Sequence, residues 1–293
     1  MRRILSGTAG AVIALMAALL AGALAVMMGP GLAETMLEAL AIGDPATAEA
    51  LFTVTIFGTL LAVAVAAGRV WGVKALAGGE RPGRWGIIGL AMGVGGLSLA
   101  VGYAALAGTV RPAPGIGAPG VLLLGALAVL VQVLAEEAMF RGWVQPVLAR
   151  AWGVMPAVVV AALGFAALHI VGGARSPVTL VNLLLGGLVF GTLAALGRGI
   201  AGAVAMHWGW NAAEQLLFGL DPNPGVGGFG AWWDLDLAGA GLWGGSAEGL
   251  NASLGMTAVL LALLLPCAAA ARVRYRKAKT PAGRGWPAIS STS

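Results

Sequence analysis

The stretch VLLLGALAVLVQVLAEEAMFR, residues 121–141, decides the class of fold to which the chain belongs. Up to Ala135 it is apolar except for Gln132, and two glutamates and an arginine follow. About 20 helical residues cross a hydrocarbon core about 30 Å thick, so a run of this length predicts a transmembrane helix. Of the 293 residues, 59% are hydrophobic and 10% are charged, against about 25% charged in soluble domains. The sequence therefore predicts an all-α, polytopic membrane protein.

Eight apolar stretches in all are long enough to cross a bilayer. They are continuous rather than alternating in short segments, which favours helices over the strands of a membrane barrel. They lie near residues 9–28, 50–67, 86–108, 119–141, 154–171, 178–196, 200–219 and 254–271. We expect a single transmembrane domain over residues 1–293, with a disordered Pro-, Gly- and Ser-rich tail at 280–293.

The basic residues predict the orientation of these helices. With the N-terminus in the cytoplasm, 15 of the 17 Lys and Arg residues fall in cytoplasmic segments, and Arg111 and Arg175 fall outside. This bias follows the positive-inside rule, so both termini are expected in the cytoplasm. The net charge of +5 then reflects topology, and nucleic acid is not an expected partner. Four tryptophans fall at predicted cytoplasmic boundaries, where such rings prefer to lie: Trp71, Trp85, Trp143 and Trp152.

The first predicted span has an alternative reading as a signal peptide. It follows Arg2 and Arg3, and the small-x-small pattern Gly31-Leu32-Ala33 comes after it. Its apolar run of about 20 residues is longer than the 7–15 residues typical of a signal peptide. We expect a retained helix, and cleavage would leave the remaining topology unchanged.

Ionisable side chains inside the predicted spans indicate a functional site. Each costs about 2.5–3.5 kcal/mol on insertion scales, so each calls for a reason. The set contains both histidines of the chain: it comprises Glu136, Glu137, His169, His207 with its neighbour Asn211, and Glu214. A purely structural role, with the glutamates ending a helix and the histidines donating hydrogen bonds, is the alternative.

Helical spacing divides the two adjacent glutamates. Glu137 and Arg141 are four residues apart with the acid first, the favourable orientation for an ion pair. Glu136 points about 100° away and gains no such partner. Two carboxylates in different environments can take different protonation roles. Glu136 is therefore the candidate general base, and Glu137 with Arg141 is the supporting pair.

Two further pairs repeat the four-residue spacing. His207 and Asn211 share one face of the seventh span, where they can donate two hydrogen bonds to a developing oxyanion. Phe165 and His169 share a face of the fifth, with the ring able to pack below the imidazole. With Glu136 these groups could hold and activate one water. Two histidines and a carboxylate could instead bind Zn²⁺, although Asn211 would then have no role.

The ordered set Glu136-Glu137-xxx-Arg141, Phe165-xxx-His169 and His207-xxx-Asn211 resembles the CPBP family of intramembrane proteases. That family includes the type II CAAX prenyl endopeptidases and the bacteriocin-processing or self-immunity proteins of the ABI domain. The resemblance covers residues 118–219, which would form the catalytic core.

The resemblance implies a hydrolase, namely an intramembrane endopeptidase of the glutamic type. Glu136 and His169 would activate the water, while His207 and Asn211 would form the oxyanion hole. The supporting residues would be Glu137, Arg141 and Phe165. No metal and no cofactor would take part. The expected partners are membrane lipid and a protein or peptide substrate, lipidated or not, in a bacterial cell membrane.

Two other functions remain open from the residues. A non-enzymatic immunity or regulatory protein could retain the same fold, and a proton-coupled transporter could use Glu136 and the histidines as a relay. Depth counting along the helices places Glu136 about 10 Å and His169 about 25 Å from the cytoplasmic edge, a gap that helix tilt or a fourth helix running to about Arg150 would largely close. On this count the site is expected to open toward the cytoplasm.

Overall fold

A computed structural model describes residues 7–113 and 119–277, and this part of the chain is mostly helical. The eight long helices are α1 (Gly7–Ala39), α2 (Pro45–Val70), α3 (Pro82–Leu106), α4 (119–152), α5 (Val154–Val171), α6 (Pro177–Gly197), α7 (201–217) and α8 (Leu254–Lys277). Wider π-helical turns interrupt α2 at Val54–Gly58 and α4 at Ala138–Val144, and Ala213–Leu217 forms the end of α7. The predicted tail at 280–293 lies outside the described residues.

Seven of these helices are long and apolar enough to cross a membrane, and together they confirm the all-α, polytopic class. The exception is α7, where the sequence predicts a span at 200–219. This helix is only 201–217 long and ends in the π turn that contains Glu214. Because α7 contacts α3, α4 and α6, it lies within the bundle and need not be apolar on every side.

Three short strands and two 3-10 turns complete the described chain. The strands are β1 (Val110–Pro112), β2 (Leu220–Asp221) and β3 (Leu235–Leu237), and the turns are Gly241–Trp243 and Gly249–Ala252. Strand β3 lies between the others, antiparallel to β1 and parallel to β2. This small sheet joins the connection after α3 to the long segment 218–253 between α7 and α8.

The connections alternate between two ends of the bundle, and the two ends differ in charge. The basic end carries the connections 71–81 and 198–200, and its described charges are Arg69, Lys74, Glu80, Arg81, Arg84, Arg150, Arg198, Arg272 and Arg274. The acidic end carries segment 218–253, and its described charges are Glu34, Glu38, Asp44, Glu49, Arg111, Arg175, Asp221, Asp234, Asp236 and Glu248. The segregation of basic residues that the sequence indicates is therefore present in the folded bundle.

Helix α4 runs further than predicted, and this corrects two boundary assignments. Arg141 and Trp143 were expected at the cytoplasmic edge, yet they are 0% and 1% exposed. The reason is that the π turn at Ala138–Val144 carries the helix on to Trp152 instead of ending it. At about 1.5 Å per residue, Glu136 then lies about 24 Å from the end of its helix. The predicted difference in depth between Glu136 and His169 therefore disappears.

Close backbone contact between α3 and α7 positions the helix that carries His207. A Cβ atom on Gly89 would overlap the carbonyl oxygen of Gly202, and one on Gly93 would overlap that of Met206. Small residues one turn apart are a common means of bringing membrane helices together. The residue after Met206 is His207, so this crossing sets the depth and rotation of that imidazole.

Glu80 joins three elements at the basic end. Its carboxylate oxygens accept hydrogen bonds from Arg198 Nη1 and Arg274 Nη2, each at 2.9 Å. The bonds from Arg198 and Arg274 hold the pKa of Glu80 below its usual range. A lowered folded-state pKa means that the stabilisation is present above the ordinary glutamate pKa and is lost as the pH falls through the folded value.

We therefore expect Glu80→Gln to lower the melting temperature at neutral pH by a small amount, since the carboxylate is half exposed and water screens it. The gap between wild type and variant should close as the pH is lowered into the acid range. Thermal melts of both proteins across a pH series check this. A gap that stays constant with pH would show that the carboxylate charge plays no part.

Candidate active site

The four predicted catalytic side chains surround one cavity of about 240 Å³. Glu136 reaches it from α4, His169 from α5, and His207 and Asn211 from α7. Phe165, predicted to support His169, also lines the wall. Residues that are up to 75 positions apart in the sequence thus meet in one place. The cavity is the candidate active site.

Glu137 and Arg141 lie behind this cavity and do not line it. Both are 0% exposed, and Arg141 Nη1 lies 3.0 Å from Glu137 Oε1, so the predicted ion pair is present. Arg141 Nη2 also donates to the backbone carbonyl of Gly187 on α6, at 3.1 Å. Charges enclosed by lipid and protein need such pairing to be tolerated. This pair therefore fixes α4 against α6 directly beneath the site.

Aromatic rings enclose the Arg141 guanidinium. Its carbon lies 4.6 Å from the Phe165 ring centroid and 5.3 Å from that of Phe190. The negative face of an aromatic ring attracts a cation at these distances. Phe165 therefore contacts both Arg141 of the supporting pair and His169 in the cavity wall.

His207 connects the supporting pair to the cavity. Its Nδ1 lies 2.9 Å from Glu137 Oε1, so Nδ1–H donates to the carboxylate. Phe190 stacks on the imidazole, with centroids 4.5 Å apart and planes at 17°. The other nitrogen, Nε2, lies 3.8 Å from Glu136 Oε2. Spacing within one helix predicts Glu137 as a partner of Arg141, but the bond to His207 depends on tertiary structure and was not foreseen.

Glu136 occupies a different environment from Glu137, as its position on the helix predicts. Its side chain is 14% exposed, whereas that of Glu137 is fully buried. Its contacts are weak: Gln132 Nε2 lies 3.4 Å from Oε1, in addition to the more distant His207. A carboxylate at a cavity wall without a strong partner remains available to accept a proton.

His169 faces the cavity near the end of α5. Its Nδ1 lies 2.9 Å from the backbone carbonyl of Phe165, which assigns the donor proton to Nδ1 and leaves Nε2 as the acceptor in the neutral ring. The ring also packs on Phe165 at 4.6 Å between centroids, as predicted. Within the described residues no direct hydrogen bond joins His169 to Glu136, although both side chains line the cavity.

Glu214 is the cavity residue that sequence reasoning left unassigned. It follows Asn211 by three residues, lines the same cavity and is 6% exposed. Its Oε1 has no hydrogen-bond partner among the described residues. A buried carboxyl oxygen without a partner is costly, so Glu214 is a further polar group to consider in the site.

Other cavity residues were missed, among them Gln132, Asn182 and Phe190. Gln132 and Asn182 are polar residues within apolar helices, a signal that was available, whereas nothing in the sequence marks Phe190. Asn182 Nδ2 donates to the carbonyls of Asn251 at 2.9 Å and Ser253 at 3.0 Å. Its Oδ1 accepts from the Thr257 hydroxyl at 2.7 Å. Asn182 thus attaches α6 to the start of α8 and to the end of segment 218–253.

One group of potential metal ligands lies outside the cavity. Among the described residues, three ligand atoms within 4.8 Å of one another occur at Asp221, Asp234 and Asp236. Glu136, His169 and His207 do not form such a group. The aspartates lie around the small sheet at the acidic end. Burial and the carboxylates of Asp221 and Asp236 raise the pKa of Asp234.

Comparison with known proteins gives one match, and it covers the residues of the site. A family model described as "Type II CAAX prenyl endopeptidase Rce1-like" matches residues 118–213, about a third of the chain. This stretch contains all three motifs, and the match confirms the resemblance that they predict. Neither a curated protein nor a solved structure matches the chain.

Proposed function

We propose, on the premise that residues 118–213 belong to the type II CAAX prenyl endopeptidase family, that the chain hydrolyses a peptide bond inside the membrane. The proposed nucleophile is a water activated by Glu136. One observation carries the proposal: Glu136, His169, His207 and Asn211 come from three helices and surround a single cavity within the bundle. Polar groups within the membrane cost free energy, and hydrolysis at that depth requires several of them to meet in one cavity.

The first step uses two of the helices that line the cavity, α4 and α5. A water between Glu136 and His169 gives its proton to the Glu136 carboxylate, and His169 Nε2 accepts the second hydrogen as a hydrogen bond. The oxygen forms a bond to the carbonyl carbon of the substrate, and the carbonyl π electrons move to its oxygen. General-base assistance of this kind contributes about 10²–10⁴-fold to a rate.

The second step depends on α7. The Asn211 amide and His207 Nε2 are the donors proposed for the tetrahedral oxyanion. For Nε2 to donate, His207 must carry a proton on both nitrogens, and the Glu137 carboxylate at Nδ1 offsets that positive charge. When the intermediate collapses, the C–N bond breaks and the proton held by Glu136 passes to the leaving amine. Glu136 returns to its starting form, with one water consumed.

Glu137, Arg141 and Phe165 are positioning residues in this scheme. Glu137 orients the His207 ring, Arg141 neutralises Glu137, and Phe165 offers its carbonyl to His169 while its ring covers Arg141. We propose that the protein works in this way as a multi-pass component of a bacterial cell membrane. Its substrate is a membrane-associated protein or peptide.

Profiling of new protein N-termini tests the proposed function. Membranes are compared from cells that carry wild type or Glu136→Ala at matched levels of folded protein. We expect a set of peptide ends found with wild type alone, because the variant lacks the base that activates water. The same ends should be missing from cells without the protein. Identical profiles for the two proteins would instead favour the non-enzymatic immunity or regulatory role.

A further inference from the structure

The candidate active-site cavity opens at the acidic end of the bundle. His169 lies two residues before the end of α5 at Val171, and that end faces segment 218–253. The rim is formed by Asn223, Pro224 and Asn251 from this same segment, and Pro224 is exposed. The depth count, which measures from Trp143 and Trp152, points to the other end of the bundle, and the residues that line the cavity do not follow it.

The opposite side of the cavity is closed by packed side chains. Along α4 this layer consists of Phe140, Arg141, Trp143, Gln145 and Leu148, each at most 1% exposed. Gln145 Nε2 donates to the carbonyl of Gly191 on α6 at 2.9 Å, one turn beyond the bond from Arg141 to Gly187. The described residues that line the cavity include none from the connections at the basic end.

Charge relates these two ends to the two sides of the membrane. The acidic end carries eight described acidic residues and two arginines, whereas the basic end carries eight described basic residues and Glu80 alone as an acid. The positive-inside rule assigns the basic end to the cytoplasm. The end with the cavity then faces away from the cytoplasm.

We propose that substrates reach Glu136 from the non-cytoplasmic side, as peptide segments displayed at or beyond the outer leaflet. That the molecule entering is a substrate rests on the proposed function. The access route itself is argued from geometry and charge alone. It excludes chain termini held at the cytoplasmic leaflet, whether lipidated or not. The acidic surface around the rim would in addition raise the local concentration of positively charged segments.

Labelling of single cysteines from each side of the membrane tests this route without any need for activity. Cys267 is the one native cysteine and is replaced by alanine. Leu183→Cys reports on the cavity, which Leu183 lines. Ala247→Cys and Leu76→Cys are the surface controls for the acidic and basic ends, because both residues are exposed. A membrane-impermeant charged thiosulfonate is added to right-side-out and to inside-out vesicles.

We expect Leu183→Cys to be labelled together with Ala247→Cys in right-side-out vesicles and to lose this labelling in inside-out ones, while Leu76→Cys shows the reverse. Labelling of Leu183→Cys with Leu76→Cys, or in neither preparation, would overturn the proposed route. Exchanged behaviour of the two surface controls would overturn the orientation. Should Leu183→Cys fail to fold, Asn223→Cys at the rim takes its place. If the cavity is labelled from the non-cytoplasmic side but the wild-type protein produces no new peptide ends, the proposed function is refuted and the access route is not.

Discussion

Purified Glu136→Gln protein is expected to hydrolyse a peptide substrate about 10²–10⁴-fold more slowly than wild type, with its melting temperature nearly unchanged. The amide has nearly the shape of the carboxylate but cannot accept the proton of the attacking water. Glu136 has weak contacts in the folded protein, a 3.4 Å approach from Gln132 and a 3.8 Å approach from His207, so little stability depends on its charge. The measurement is kcat and KM in proteoliposomes, with the substrate taken from the profiling experiment.

Glu34→Gln provides the matched control, because it makes the same chemical change on the exposed surface of α1, a helix that does not line the cavity. Its kcat should equal that of wild type. Retention of more than a small part of the wild-type rate by Glu136→Gln would assign the base to another group. The buried Glu214, which lines the same cavity, would be the first residue to replace.

Arg141→Ala is expected to cost about 3–5 kcal/mol of stability, enough to remove most folded protein from the membrane. The reason is that Glu137 would remain fully buried with the bond to His207 as its remaining partner, and the Gly187 carbonyl would lose its donor. The space left between Phe165 and Phe190 adds a packing penalty. Folded yield after detergent extraction and thermal melting measure the effect.

Replacing both partners separates charge from packing. The double variant Glu137→Leu/Arg141→Leu removes the buried charges together, and such replacements are often neutral or stabilising. It should recover folded protein that Arg141→Ala loses. It should still be inactive, since the imidazole of His207 would no longer be held by a carboxylate. A double variant as unstable as the single one would show that the ion pair is not the source of the loss.

The sequence predicts the residues of the site better than it predicts their connections. Helical spacing places Glu137 with Arg141, Phe165 with His169 and His207 with Asn211, and each pair indeed shares a helix face. These are local properties of one helix. The bond from His207 to Glu137 joins positions 70 residues apart and depends on the glycine-mediated crossing of α3 and α7. No local pattern encodes it.

The depth count along α4 differs from the structure for a definite reason. Trp143 was used as a marker of the cytoplasmic boundary, because tryptophans favour membrane interfaces. In the structure Trp143 is buried within the π turn, and α4 continues to Trp152. A π turn adds a residue per turn and often occurs at functional sites. The charges of the connections correctly predicted that basic residues collect at one end of the bundle. The depth count instead depended on the π turn in α4, which the sequence does not reveal.

The two side-chain bonds between α4 and α6 hold these helices in a fixed register. Arg141 and Gln145 are held one turn apart by Gly187 and Gly191, so sliding one helix along the other would break both bonds away from water. Helices α4 and α6 therefore move as one body. Segment 218–253 borders the cavity at the rim. Loops in general rearrange much faster than packed helices slide past each other. For the proposed hydrolysis this means that the helix carrying Glu136 is held in fixed register against α6, while the segment that borders the cavity is itself joined to α6 through Asn182.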